Sequence, residues 1–209
     1  MRLKYYPKDY WEDKAGIAMN IDFKRTIRKE IKERRASMPF NEVLESSSRI
    51  FEAIRNMPEI ISSQKIFCYV SFENEVYTHS FINELLSLKK EVYVPCVDTS
   101  CKCTMNAVSI ESLDELVPGC YGILEPICIQ GKIICPRDID TVIVPAVAFD
   151  KNRFRLGYGG GYYDAYLAQT SDSCYKIGVC YDFQLTDSLP VEPHDKQVDV
   201  VVTDNTIVF

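Results

Sequence analysis

Val144-Pro-Ala-Val-Ala-Phe-Asp-Lys-Asn-Arg-Phe-Arg-Leu-Gly-Tyr-Gly-Gly-Gly-Tyr-Tyr-Asp164 decides how this chain is read. The apolar run from Asp140 to Ala148 predicts a buried strand, and a polar, basic turn ends it. A loop follows with four glycines in five positions, Gly157, Gly159, Gly160 and Gly161. Without Cβ atoms, backbone N–H groups can approach an anion closely. A helix is predicted to open at Tyr162-Tyr163-Asp164, and its free N–H groups and positive dipole end would add to the cradle. Arg155 at the mouth of the loop can pair with a phosphate oxygen, and Asp164 just past the glycines suits a hard cation. Phosphate cradle, cation and carboxylate within ten residues read as a site for a nucleoside triphosphate.

Neither of the two common nucleotide loops is present. A Walker A loop needs Lys-Ser or Lys-Thr after its glycines, and none follows here. The dinucleotide fingerprint needs a third glycine where Tyr162 stands.

Outward from the loop, strand and helix patterns alternate. Asn20-Ile21-Asp22 predicts the cap of a helix from about Phe23 to Ser37, with Phe23, Ile27 and Ile31 on one face. That helix is densely basic (Lys24, Arg25, Arg28, Lys29, Lys32, Arg34, Arg35) against Glu30 and Glu33, which by itself reads as a solvated charged face. Asn41 predicts the cap of a second helix to about Met57, burying Val43, Leu44, Ile50, Phe51 and Ile54. Strands are expected at 66–71, 91–95, 104–110, 132–134, 140–146, 176–180, 198–203 and 206–209, with a helix from Thr78 or His79. The pattern predicts a single-domain three-layer α/β/α sandwich with a largely parallel or mixed sheet covering residues 22–209, after an N-terminal extension at 1–21. Ligands of such sheets lie at the carboxyl ends of strands. That rule brings the loop after the strand ending near Ser71 and the glycine loop to one rim.

The 209 residues are 46% hydrophobic, enough for one full core. A net charge of −6 argues against a nucleic-acid partner. Nine cysteines form no paired C-x-x-C, which favours free thiols in a reducing compartment over disulfides or zinc. With neither a targeting segment nor an apolar run of about 20 residues, a cytoplasmic protein without a membrane partner is expected.

Further segments resemble a known family. Pro145-x-x-x-Phe149-Asp150 before Arg155-Leu-Gly-Tyr-Gly-Gly-Gly-Tyr-Tyr-Asp164 is similar to the signature of the 5-formyltetrahydrofolate cyclo-ligases, also called methenyltetrahydrofolate synthetases. Lys24-Arg-Thr-Ile-Arg28, Glu73-Asn-Glu75-Val-Tyr-Thr78, Tyr121-Gly-Ile-Leu-Glu125-Pro126 and His194-Asp195-x-x-Val198-Asp199 resemble other segments of that family, in order. The resemblance implies the same three-layer fold and ATP-dependent conversion of 5-formyltetrahydrofolate to 5,10-methenyltetrahydrofolate, with ADP and phosphate released. It implies that Lys24, Arg28 and Arg155 hold the triphosphate along with Leu156, Gly157, Tyr158, Gly159, Gly160, Gly161, Tyr162 and Tyr163, with Arg155 and Lys24 catalytic. Mg²⁺ would be held by Asp164 with Asp195 as second carboxylate, and His194 would position Asp195 or the loop. Glu75, Tyr121 and Val70 would bind the folate, free or polyglutamylated, and a monomer is expected. Of Tyr158, Tyr162 and Tyr163, one or two would anchor the helix inward instead of lining the cleft.

One position departs from the family pattern: Arg153 stands where a turn glycine is usual. If that turn needs a positive φ, Asn152 is expected to supply it. Three other functions compete. An ATP-dependent enzyme of the same fold acting on another small amide or carboxylate would not need Glu75 and Tyr121. A non-catalytic folate or nucleotide binder would not need Arg155, Asp164 and Asp195. An RNA-binding role for the basic helix meets an acidic chain without an aromatic stacking motif.

Overall fold

In the central strands, successive side chains enter two different cores, which is why helices cover both faces of the sheet. The computed structural model describes residues 14–98, 100, 101, 103–193 and 195–209, with side chains for all of these except 14–21 and Tyr121. The helices are α1 (Lys14–Ala36), α2 (Phe40–Arg55), α3 (Pro58–Ser62), α4 (His79–Ser87) and α5 (Tyr162–Leu167). The strands are β1 (Lys65–Cys68), β2 (Glu91–Asp98), β3 (Thr104–Ile110), β4 (Leu116–Pro118), β5 (Leu124–Pro126), β6 (Ile133–Ile134), β7 (Thr141–Pro145), β8 (Ala148–Asp150), β9 (Arg155–Leu156), β10 (Tyr175–Val179), β11 (Leu185–Thr186), β12 (Val200–Val202) and β13 (Ile207–Val208).

Eight strands form the main sheet in the order β13-β12-β10-β7-β1-β2-β3-β6. The inner pairs β12–β10, β10–β7, β7–β1 and β1–β2 are parallel, and β13, β3 and β6 run antiparallel at the edges. Ile66 and Cys68 of β1, Ile143 of β7 and Val200 and Val202 of β12 join a core with Ile50, Phe51, Ile54, Phe81, Ile82 and Leu85 of α2 and α4. Phe67, Val142, Val144 and Val201, the intervening residues, join Tyr166 and Leu167 of α5 on the other face. The period of two along each strand therefore serves two cores. Truncating the fully buried Phe67 to alanine would cost about 3–5 kcal/mol.

Helix α1 belongs to neither layer. Its Ile27 and Ile31 pack with Val147, Ala148, Leu156 and Leu189 in a third cluster. That cluster lies on a small sheet, β11-β8-β9, beyond the carboxyl end of β7. The basic face of α1 is thereby brought over the rim where ligands of parallel sheets bind.

Four local expectations are corrected. The helix expected from Phe23 starts at Lys14; Asp22 lies inside it, where its carbonyl accepts from Thr26 Oγ1 at 2.9 Å. Asn41 does not cap α2: the N-cap is Pro39 and Asn41 is in the first turn. Leu44 is exposed, and Ser46 and Ser47 are buried in its stead, with Ser47 Oγ accepting the Tyr77 N–H at 2.8 Å. The run 140–148 is two strands in two sheets. The chain leaves the main sheet after Pro145, which has no N–H to continue the ladder, and Val147 N–H turns to the Leu156 carbonyl at 2.8 Å.

Candidate active site

The site is built from the loops that follow β1 and β9, with α1 laid across them. The turn into β9 is organised by Asp150, 1% exposed. Its Oδ1 accepts from Asn152 N–H and Phe154 N–H, both at 2.9 Å, and its Oδ2 from Leu189 N–H at 2.9 Å. Burial raises the Asp150 pKa, and these N–H groups partly offset the rise. The residue with positive φ is Arg153 itself (φ 65°), not Asn152, which corrects the expectation. Arg153 is held there by a reciprocal contact: Val198 N–H donates to its carbonyl at 3.1 Å and its Nε donates to the Val198 carbonyl at 3.2 Å. The substituent for the usual glycine thus adopts the glycine-like conformation and ties the turn to the segment before β12.

Beyond β9 the glycine loop closes onto α5. Gly161 is the N-cap of α5 with φ 70°, a left-handed conformation that a side chain resists. A Cβ at Gly157 would stand 2.9 Å from Arg155 Nη1, so this glycine admits the guanidinium against the loop. Helix α5 has six residues, so its dipole is small beside the loop N–H groups and the nearby cations.

Arg155 is 8% exposed. Its Nη2 lies 2.7 Å from Asp164 Oδ2, and its guanidinium carbon is 5.6 Å from the centroid of the Tyr163 ring. The pair with Asp164 is a charge contact, not an aligned hydrogen bond: Nε and Nη2 of Arg155 are buried without hydrogen-bond partners. Buried donors left open beside a glycine loop point to a ligand that accepts from them. Asp164 Oδ1 accepts from Lys196 N–H at 3.3 Å, which places Asp164 against the segment that carries Asp195.

The other expected phosphate ligands come from α1. Lys24 Nζ lies 2.6 Å from Glu192 Oε1 and 3.8 Å from Asp195 Oδ2. Asp195 Oδ2 also accepts the Glu192 N–H at 2.7 Å. Arg28 Nε donates to the Gly157 carbonyl at 2.8 Å, fastening α1 to the glycine loop. Burial lowers the Arg28 pKa, against the pull of Glu192. Lys24, Arg28, Arg155, Asp164 and Asp195 therefore gather around one loop. Among the described residues, no three His, Cys, Asp or Glu side chains cluster as metal ligands.

Glu75 lies across from the loop, after β1. Its Oε2 accepts the Phe72 N–H at 3.1 Å, and its Oε1 accepts the hydroxyl of Tyr158 from the glycine loop. The two segments expected to share a rim are therefore joined by a side-chain bond. Tyr158 also receives Arg35 Nη1 at 2.6 Å. Burial raises the Tyr158 hydroxyl and the Glu75 carboxyl above their usual ranges, and Arg35 opposes both shifts.

Other expected residues have packing positions. Leu156 is in the cluster that seats α1, and Val70 is in the core below Glu75. Tyr163 points inward, stacked on Phe67 at 6.3 Å between centroids, with a buried, unpartnered hydroxyl. Tyr162 packs partly on the same core, and the atoms of its ring come within 2.8 Å of where a Gly160 Cβ would be. Glu125 is a structural carboxylate: it accepts Val97 N–H at 3.0 Å and Cys120 N–H at 3.1 Å, closing the turn that carries Tyr121 onto β2. The Tyr121 side chain and His194 lie outside the described residues. Sequence reading did not single out Arg35; its one signal is that it is one of the eight basic residues of α1.

Comparisons with known proteins follow the same lines. A sequence model of the 5-formyltetrahydrofolate cyclo-ligase family matches residues 20–204. The 5-formyltetrahydrofolate cyclo-ligase of Haemophilus influenzae is 28% identical over 178 residues, covering 85% of this chain and 95% of that one. The NMR structure of Aquifex aeolicus 5,10-methenyltetrahydrofolate synthetase aligns with a TM-score of 0.77 at 32% identity, covering 88% of this chain and 91% of that one. A 5,10-methenyltetrahydrofolate synthetase from Mycoplasma pneumoniae aligns with a TM-score of 0.69 at 26% identity, over 87% and 98%.

Proposed function

The chain belongs to the 5-formyltetrahydrofolate cyclo-ligase family and is an enzyme of that type, and from this premise we propose that it couples ATP cleavage to closure of 5-formyltetrahydrofolate into 5,10-methenyltetrahydrofolate. The N5-formyl group is amide-like and a poor electrophile. Its oxygen attacks the γ-phosphorus, the bond to the β-phosphate oxygen breaks, and ADP leaves. N10 then attacks the activated formyl carbon, its proton is lost, and phosphate departs with the former formyl oxygen. Little covalent chemistry falls to the protein, which must align the formyl oxygen with the phosphorus and balance charge.

Lys24, Arg28 and Arg155 hold the triphosphate, with backbone N–H groups from Gly157 to Gly161. The open donors of Arg155 support this role, each charge-assisted contact being worth about 1.5–3 kcal/mol. Glu75 accepts the N–H groups along the aminopyrimidine edge of the pterin, and Tyr121 stacks on its face. Asp164 and Asp195 would hold Mg²⁺ with the nucleotide, where it would supply charge neutralisation. Asp164 and Asp195 suit a cation that takes one or two carboxylates and fills its shell with phosphate oxygens and water.

The observation that supports this reading is the Tyr158–Glu75 bond, because it joins the glycine loop to the loop after β1. The test is isotopic. With 5-formyltetrahydrofolate labelled by ¹⁸O in the formyl group, the released phosphate is expected to carry the label. Unlabelled phosphate from a turning-over enzyme would rule out phosphorylation of the formyl oxygen.

A further inference from the structure

The side chain that links the two halves of the cleft is Arg35, on the last turn of α1. It is 3% exposed. Its Nη1 donates to Tyr158 Oη at 2.6 Å and lies 3.8 Å from Glu75 Oε1; its Nη2 lies 3.8 Å from Glu73 Oε2. The guanidinium also stands over the Tyr158 ring, 5.6 Å from its centroid. The backbone around it is fixed as well: the Arg35 carbonyl accepts from Asn74 Nδ2 at 2.9 Å, and Asn74 is the residue before Glu75. The Glu75 carbonyl accepts from Tyr181 Oη at 3.0 Å. One buried guanidinium therefore orders a phenol of the glycine loop and a carboxylate of the loop after β1 at the same time.

We propose that Arg35 is the positioning residue for Glu75: directly, and through the Tyr158 hydroxyl, it fixes the carboxylate and preserves its charge in a closed site. This rests on Glu75 being the carboxylate that reads the folate. An ionised carboxylate can accept two N–H bonds from an aminopyrimidine edge, whereas the protonated form gives up one acceptor to its own hydrogen. Burial works against the ionised form, and a cation close by works for it. The titratable or charged groups facing Glu75 are Arg35 from α1, Glu73 from its own loop, Tyr158 and Tyr163 from the glycine loop and α5, Tyr69 from the end of β1, and Tyr181 from the end of β10. Burial raises all four phenols, so they remain neutral in the neutral range, and Glu73 adds a like charge. Among these groups Arg35 supplies the positive charge. Burial works to lower the Arg35 pKa, and the Tyr158 and Glu75 oxygens more than offset it.

Binding of 5-formyltetrahydrofolate by calorimetry from acid to neutral pH tests the assignment on the full chain. In wild type, affinity falls on acidification as Glu75 takes up a proton. Arg35→Met is expected to move that fall to higher pH and to weaken binding about tenfold at neutral pH. Arg35→Lys, which keeps the charge but not the planar fork, should keep the fall near its wild-type position. If Arg35→Met does not unfold cooperatively, Arg35→Gln, which can still donate to Tyr158, reads the same shift. A fall that stays in place in a folded Arg35→Met or Arg35→Gln, while Glu75→Gln binds weakly, overturns the role of Arg35. Glu75→Gln with wild-type affinity overturns the underlying reading of Glu75.

Discussion

Arg155 Nη2 lies 2.7 Å from Asp164 Oδ2, so the residue expected to hold phosphate and the residue expected to hold the cation are paired with each other across the glycine loop. The Arg155 side chain is 4% exposed and that of Asp164 is 20% exposed. Arriving phosphates would give Arg155 new acceptors and free Asp164 to face Mg²⁺. The pair thus gives each residue a compensating partner before the nucleotide binds.

Asp164→Asn tests this arrangement. Asparagine is nearly isosteric with aspartate but leaves the buried Arg155 charge without its counter-ion. We expect a loss of about 1–3 kcal/mol in urea unfolding together with a raised Mg²⁺ requirement for turnover. Unchanged stability would show that the ion pair contributes nothing. An unchanged Mg²⁺ requirement would remove Asp164 from the metal site.

Arg155→Ala and Lys24→Ala are expected to raise the apparent KM for ATP by roughly tenfold or more, each removing a charge-assisted contact of about 1.5–3 kcal/mol. The KM for the folate should move much less, because neither side chain touches Glu75 or Tyr158. Steady-state kinetics with each substrate varied in turn checks this. A KM for ATP within twofold of wild type in both variants contradicts the phosphate assignment.

Arg153 predicts an inversion of the usual order of alanine and glycine. Alanine normally stabilises relative to glycine, but at φ 65° the strain on a Cβ outweighs that gain. Arg153→Gly should therefore be more stable than Arg153→Ala, by about 0.5–1 kcal/mol in denaturant unfolding. Alanine equal to or better than glycine would mean that the turn relaxes out of the left-handed region.

The turn shows where sequence reading reached its limit. A missing glycine in the 149–155 turn was legible as a backbone problem, but which residue takes the positive φ depends on the Val198 contact, 45 positions away. The same holds at Pro145: the apolar run reads as one strand, and only the pairing of Val147 with Leu156 reveals the change of sheet. The layers were legible because the inner strands are apolar on both faces, and the rim rule then brought Glu75 and the glycine loop together. Arg35 was not, because a buried arginine and an exposed one look alike within a basic helix. The Arg155–Asp164 pair was hidden for a related reason: it depends on the path of the loop between them.

Tyr163 provides a test of inward anchoring. Its hydroxyl is buried without a partner, so Tyr163→Phe removes an unsatisfied group and keeps the stacking on Phe67. Stability is expected to be unchanged or raised by up to about 1 kcal/mol. A clear fall in melting temperature would reveal a hydrogen bond made by that hydroxyl.

The central claim, ATP-driven ring closure in the cleft between the glycine loop and Glu75, is tested most directly by incubating the folded protein with Mg-ATP and 5-formyltetrahydrofolate. The methenyl chromophore and ADP are followed in the same sample. The account predicts that both appear together, one for one, and that neither forms when either substrate is left out. ADP release without the chromophore, or no reaction from a folded, monodisperse sample, would contradict it.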